Sequence, residues 1–324
     1  DIFFEDLELR KPDYYMNVET TSFGSVMSGV IRESEKILLS EKPDAVLILG
    51  DTNSALVTIL ARRKDIPTYH LEAGTRSFDQ RVPEEVNRRI IDHTADFNLA
   101  YNRFSYENLM REGLDPRRTF ISGSPMHEVI NSIRHKVESS DVIRAMGLSE
   151  GQYLVGSFHR QENVDRRERL ESIIYLCNGL TEKYSMPMLV TLHPRTKDRL
   201  EAFGLRFGNL VKAEKPYGFV EYLALQKNSF VTVSDSGTLA EESSILGFAG
   251  VSAREATERP EANTAGFLTL TSSSLENCVE AIELARHRRD LAIPEGYEEE
   301  CFSLRVANIV SSTARRRNTI LGVY

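Results

Sequence analysis

The sequence has no long apolar run, no excess of positive charge and few cysteines. No stretch approaches the ~18 apolar residues of a membrane span, and no secretory leader is read at its start. Lys and Arg number 40 against 48 Asp and Glu, a formal charge of −8, which leaves no basic footprint for nucleic acid or an anionic membrane. An anionic ligand must therefore be held by local features. The three cysteines (Cys177, Cys278, Cys301) are odd in number and far apart. They fit no zinc spacing and point to a reducing compartment, so a cytoplasmic location is expected. No G-x-G-x-x-G, Walker A, G-x-S-x-G or H-E-x-x-H string occurs, and histidines and acids do not fall at metal-ligand spacing. These absences leave no dedicated metal site to expect and argue against dinucleotide, P-loop and nucleophile-elbow chemistry. No internal repeat or low-complexity segment stands out.

What is present is a regular alternation. The 324 residues suffice for one large or two medium domains. Short apolar runs read as strands at 45–50, 68–74, 97–101, 119–123, 153–158, 187–192, 209–214, 230–235 and 267–270. Amphipathic stretches lie between them, such as Phe23, Val26, Val30, Ile37 and Leu38 before Pro43. Continuous apolar strands separated by helices predict parallel sheets covered on both sides. Nine strands are many for one sheet, and 126–150 is polar, so the chain is divided there. The expectation is an α/β protein of two Rossmann-like, doubly wound domains facing across a cleft, 1–125 and 126–324. The last helix, about 299–313, is a candidate to pack back on the first domain. Residues 1–9, with Ile2, Phe3, Leu7 and Leu9 apolar, read as the tail of an amphipathic helix.

Open parallel sheets bind ligands at the carboxyl ends of their strands. Those ends carry Asp51 in "GDTNS", His70, Glu72 and Arg76 in "HLEAGTR", and His159 and Arg160 in "FHRQEN". They also carry His193 and Arg195 in "LHPR", and Ser236, Gly237 and Thr238 in "VSDSGTLAEE". Each has a plainer explanation. Asp51 is equally a helix cap. Glu84 and Glu85 follow Pro83, where acids suit a helix start, and Glu84 with Arg88 is also a surface pair. His159 and Arg160 fit a solvated loop, although their place directly after a buried strand favours function. Thr238 and Glu241 match a capping box, which leaves Glu242 unexplained. Taken together, Asp51, Glu72, Glu84 and His159 are acid–base candidates. Arg76, Arg88, Arg160, Arg195 and a helix start are anion-holding candidates. That set suits proton transfer on a phosphorylated small molecule, without redox or metal chemistry.

These residues lie in strings that resemble the non-hydrolysing UDP-N-acetylglucosamine 2-epimerases. The strings are "GDTNS" (50–54), "HLEAGTRSFDQRVPEEVNRRIIDHTAD" (70–96), "SFHRQENVD" (157–165), "LHPRT" (192–196), "SDSGTLAEESSILG" (234–247) and "REATERPEA" (254–262). They follow the family order over nearly the whole chain. The "FDQRVPEE" wording is closer to the branch acting on modified sugars, of the UDP-N-acetyl-L-fucosamine type. The resemblance implies a B-type glycosyltransferase-like fold and a UDP-sugar substrate. It further implies a homodimer, no cofactor, and a role in supplying surface polysaccharide precursors. The implied reaction eliminates UDP from C1 as the C2 proton leaves, then re-adds it with a proton delivered to the other face. By resemblance Asp51, Glu72 and Glu84 are the acid–base carboxylates and His159 assists the leaving diphosphate. Arg88 and Arg160 help bind phosphate, Ser236, Gly237 and Thr238 donate to the diphosphate, and Glu242 takes the ribose hydroxyls.

One departure accompanies the match. Family members open on a strand ending in a Gly-Thr-Arg-Pro-Glu turn, and this sequence starts about 40 residues too late to contain it. The first domain is thus expected to lack its first strand and one phosphate-side arginine. Two other readings share the motifs: a hydrolysing relative that releases UDP and free sugar, and a sugar-nucleotide-binding protein without catalysis. A B-type glycosyltransferase shares the fold but has no need of three carboxylates at one sugar carbon.

Overall fold

The computed structural model describes residues 2–287 and 291–322. The side chains of Ile2 and Phe3 lie outside that description; the backbone there forms a short helix, Ile2–Asp6. The chain folds into two compact units. The first comprises Lys11–Glu128 and the segment from Glu295 onward; the second comprises the segment up to Arg10 and Val129–Pro294. This grouping differs from a single division at 125/126 at both chain ends. The physical reason lies in two packing contacts. Phe302 and Val306, on the helix Phe302–Thr313, bury against Tyr69, Leu71, Phe97 and Leu99 of the first unit. The Asp6 carboxylate meets the backbone N–H of Val220 at 3.3 Å in the second.

The first unit carries a parallel sheet of β1 (Val46–Leu49), β2 (Thr68–Leu71), β3 (Phe97–Ala100) and β4 (Thr119–Ile121), in that spatial order. β2 and β3 are buried at every position, which is why they read as mostly apolar runs despite His70 and Asn98. Alternation still sorts their faces. Tyr69, Leu71, Phe97 and Leu99 meet the Phe302–Thr313 helix, with the Tyr69 and Phe97 rings stacked at 4.8 Å. His70 and Asn98 bond instead to Asp92 on the helix Glu84–Thr94. Before β1 runs the helix Phe23–Glu41, started by Ser22, whose hydroxyl accepts from the Ser25 N–H. Its buried stripe is Gly29, Val30, Ser34 and Leu38, whereas Phe23 is exposed.

The second unit carries β5 (Leu154–Ser157), β6 (Met188–Thr191), β7 (Val211–Glu214), β8 (Val231–Ser234) and β9 (Gly250–Ser252), all parallel, in the order β7-β6-β5-β8-β9. The order reverses beside β5, so the segments leaving β5 and β8 diverge there. This is the switch point where doubly wound sheets take ligands. Its core gathers Leu154, Met188, Val190, Val231, Val233 and Val251 with Ile173, Cys177, Leu180, Cys278 and Ile282 of two covering helices. Burial pushes the Cys177 and Cys278 thiols up, which suits core packing and not reactivity. The expected strand at 267–270 is not formed; Leu270 makes one isolated bridge to Ser252, and β9 occupies the edge instead. Among the described residues, no helix is long and apolar enough to cross a membrane.

Candidate active site

In the first unit the sheet's carboxyl end gathers the acids. Gly50 leaves β1 at φ +72°, a left-handed conformation suited to glycine, and places Asp51 at the sheet end. On the neighbouring strand Glu72 follows β2 at φ +69°. A non-glycine residue there costs about 1–3 kcal/mol and persists where its surroundings fix it. The two ends are close: a Cβ on Gly50 would lie 3.4 Å from Glu72 Oε2. Asp51 accepts from Arg88 Nε at 2.7 Å through its side chain and from Asn87 Nδ2 at 2.9 Å through its carbonyl. Asp51 therefore does not cap the next helix: Thr52 precedes the 3-10 turn Asn53–Leu56.

Arg88 is engaged differently from a free phosphate ligand. It is buried, and besides Asp51 it holds Glu85 Oε2 at 3.1 Å. Glu85 also accepts from the Ser77 N–H and hydroxyl, each at 3.1 Å, so it is a structural acid. Glu84, one residue earlier at the helix start, is half-buried and takes part in none of those bonds. Arg76 is not available to an anion either. It is buried between Asp92 (2.7 Å) and the Glu112 carboxylate (2.9 and 2.7 Å).

In the second unit the segments after β5 and β8 are tied together by Asp235. This fully buried carboxylate accepts from the His159 N–H (3.0 and 3.1 Å), the Arg160 N–H (3.1 Å) and Asn163 Nδ2 (2.9 Å). It also faces His159 Nδ1 at 3.2 Å, which orients the ring and leaves Nε2 for another partner. Burial, aided by Arg160 and His193, lowers the His159 pKa; Asp235 opposes that shift. Burial thus favours the neutral ring. Its neutral form adds stability that is full above about 6.5 and is lost as pH falls through the lowered value. An NMR titration should place the His159 midpoint below about 6.5, and Asp235→Asn should move it lower still. A midpoint above that value would reverse the assignment.

Arg160 approaches Gly237: its Nη2 would lie 3.3 Å from a Cβ there. Its Nη1 is 3.7 Å from Glu258, which in turn forms a fork with buried Arg254. Ser236 and Thr238 share a hydroxyl contact at 3.0 Å ahead of the helix Leu239–Leu246. Thr238 makes no side-chain capping bond, and Glu241 pairs with Arg259 at 3.2 Å, so the expected capping box is not formed. Glu242 is buried and accepts from Gln226 Nε2 at 2.9 Å. Burial raises its pKa, against bonds from Gln226 and Thr238.

The structure thus groups Asp51, Glu72, Glu84 and Arg88 in one unit, and His159, Arg160, Ser236, Gly237, Thr238 and Glu242 in the other. Residue reading missed the buried acids that hold them, Asp92, Asp235 and Glu258. Asp235 has a local signal, a charged residue directly after a buried strand, whereas Asp92 and Glu258 stand beside exposed or half-buried residues.

A family comparison settles the kinship. The family model described as UDP-N-acetylglucosamine 2-epimerase matches residues 1–310. The chain belongs to this family. It is 37% identical over 290 residues to the UDP-N-acetylglucosamine 2-epimerase of Methanococcus maripaludis, covering 87% of this chain and 79% of that one. It is 33% identical over 285 residues (87% and 78% of the two chains) to the UDP-2,3-diacetamido-2,3-dideoxy-D-glucuronate 2-epimerase of Pseudomonas aeruginosa, a relative named for a modified sugar. Among solved structures, the Methanocaldococcus jannaschii UDP-GlcNAc 2-epimerase in complex with UDP-GlcNAc and UDP aligns with a TM-score of 0.89 at 33% identity, over 96% of this chain and 87% of that one. WaaG, a glycosyltransferase, shares the fold alone, at a TM-score of 0.56 and 13% identity over 94% and 88% of the chains.

Proposed function

We propose that this family member is a UDP-N-acetylhexosamine C2-epimerase that works by eliminating and re-adding UDP. The observation that carries the reading is the set of carboxylates at the carboxyl ends of β1 and β2, with Asp51 clamped by Arg88 and Glu72 beside Gly50. One carboxylate takes the C2 proton as the C1–oxygen bond breaks and its electron pair leaves with UDP. The double bond between C1 and C2 gives a 2-acetamidoglucal. A second carboxyl group then returns a proton to the other face of C2 while the diphosphate oxygen rebonds to C1. Asp51, Glu72 and Glu84 divide this proton traffic. The steps are redox-neutral, and proton exchange with water returns the two carboxyl groups to their starting states.

The second unit supplies the nucleotide-holding groups in this reading. Arg160 and the Ser236–Thr238 helix start support the departing diphosphate, with His159 assisting. Glu242 takes the ribose diol; Glu242→Ala is expected to weaken UDP binding by about 1–3 kcal/mol, measured by calorimetry. Unaltered affinity would return Glu242 to a core role. The reading places the enzyme in the cytoplasm, as a homodimer, supplying precursors for surface polysaccharide.

The test is incubation with UDP-GlcNAc and with its 2,3-diacetamido uronic acid counterpart, followed by NMR of the sugar signals. A mixture of C2 epimers still joined to UDP supports the proposal. Accumulation of free UDP and free sugar would replace it with a hydrolysing enzyme, and binding without turnover with a non-catalytic relative.

A further inference from the structure

We infer that the buried His70–Asp92 pair is a positioning device that fixes both Asp51 and Glu72, an inference that rests on the proton-transfer role proposed for those two carboxylates. His70 sits in β2 and is 1% exposed. Its Nδ1 lies 2.7 Å from Asp92 Oδ1, and its Nε2 lies 3.0 Å from the carbonyl oxygen of Gly50. A carboxylate and a carbonyl are both acceptors, so both ring nitrogens must donate. His70 is then a two-ended bridge from the Glu84–Thr94 helix to the residue immediately before Asp51.

The two acids are held from this one pair. On the Asp51 side, the Gly50 N–H donates to Leu71 O at 3.2 Å while its carbonyl accepts from His70. Gly50, the residue that sets the direction of Asp51, is therefore held at both its backbone N–H and its carbonyl from β2. On the Glu72 side, Asp92 accepts from the Gly74 N–H at 3.3 and 3.2 Å. Glu72, in its left-handed conformation, thus lies midway between two residues that Asp92 ties down. Gly74 has no room for a side chain: a Cβ there would meet the Ser105 carbonyl oxygen at 2.1 Å.

The pair is also electrically complete. Burial works to raise the Asp92 carboxyl, but the bonds and charges of His70 and Arg76 hold it below the usual range. Arg76 passes on to Glu112, which His93 Nε2 approaches at 3.3 Å. Asn98 Nδ2, on β3, donates to the Asp92 carbonyl at 2.9 Å and steadies the helix from below. Ordinary packing does not require this arrangement. The face of β2 with Tyr69 and Leu71 is filled mainly by apolar contacts, with the Tyr69 hydroxyl bonded to Thr313, whereas on this face the His70 and Asp92 side chains reach the Gly50 carbonyl and the Gly74 N–H that flank Asp51 and Glu72.

The test is His70→Gln, whose single amide group can reach Asp92 or Gly50 but not both. Expected are a kcat and a C2 proton exchange rate lowered together by about 10²-fold, with UDP affinity and circular dichroism little changed. A kcat close to that of the natural protein, in a folded variant, overturns the inference. Should the variant fail to fold, ¹⁵N NMR of the natural protein decides: both His70 nitrogens bearing slowly exchanging hydrogens at neutral pH support the bridge, and one bare nitrogen refutes it. If the natural protein itself shows no exchange, the proposed function falls, while the ring nitrogens still decide whether the bridge exists.

Discussion

Glu84→Gln is expected to lower kcat and C2 proton exchange by about 10²–10⁴-fold while UDP affinity stays unchanged. The amide keeps the shape of the side chain and removes its ability to carry a proton. The neighbouring acid shows why Glu84, and not Glu85, is the choice. Glu85 is 2% exposed at its side chain and already occupied by Ser77 and Arg88. Glu84 stands one residue earlier, half-buried, outside that network. Glu85→Gln should therefore act mainly on stability, seen as a lower midpoint in urea, because Arg88 loses a buried charged partner. Steady-state kinetics and calorimetry on the two variants separate the roles. A large loss of UDP affinity in Glu84→Gln, with exchange retained, would remove Glu84 from the proton-transfer set.

Asp235→Asn is expected to cost about 3 kcal/mol of stability and to weaken UDP binding together with kcat. The carboxylate is fully buried and receives only donors: two backbone N–H groups, the Asn163 amide and the His159 ring. An asparagine keeps one acceptor oxygen and turns an NH₂ group toward the remaining donors. The segments leaving β5 and β8 would then separate, and His159, Arg160 and the Ser236–Thr238 turn would lose their common anchor. Urea unfolding and UDP titration test this. Unchanged stability and affinity would show that those segments hold their shape without Asp235.

Much of this architecture can be read from residues because the strands are buried on both faces. β1, β2, β5 and β8 appear as short, mostly apolar or β-branched runs, and the rule of strand carboxyl ends leads from them to Asp51, Glu72, His159 and Arg160. Where the signal fails, the missing information is long-range. β9 is three residues including a glycine, too short to register, and 267–270 has strand-like residues but one bridge. The Phe302–Thr313 helix shows an apolar stripe but not the sheet it covers. Asp92 is 22 residues from His70, and Asp235 is 76 from His159, so neither partnership is visible as spacing. For Arg76 and Arg88, sequence cannot distinguish a ligand-binding cation from one already paired. The nearby Asp92, Glu112, Asp51 and Glu85 decide it.

In the proposed reaction, carboxylates of the first unit move a proton at C2 of a UDP-linked N-acetylhexosamine. Incubation with UDP-GlcNAc in D₂O, read by NMR and mass spectrometry, tests it most directly. Deuterium is expected at C2 in both epimers of the UDP-sugar, with Asp51→Asn and Glu84→Gln blocking the exchange. Epimers formed without deuterium, or a folded protein that binds saturating UDP-GlcNAc and exchanges nothing, would contradict it.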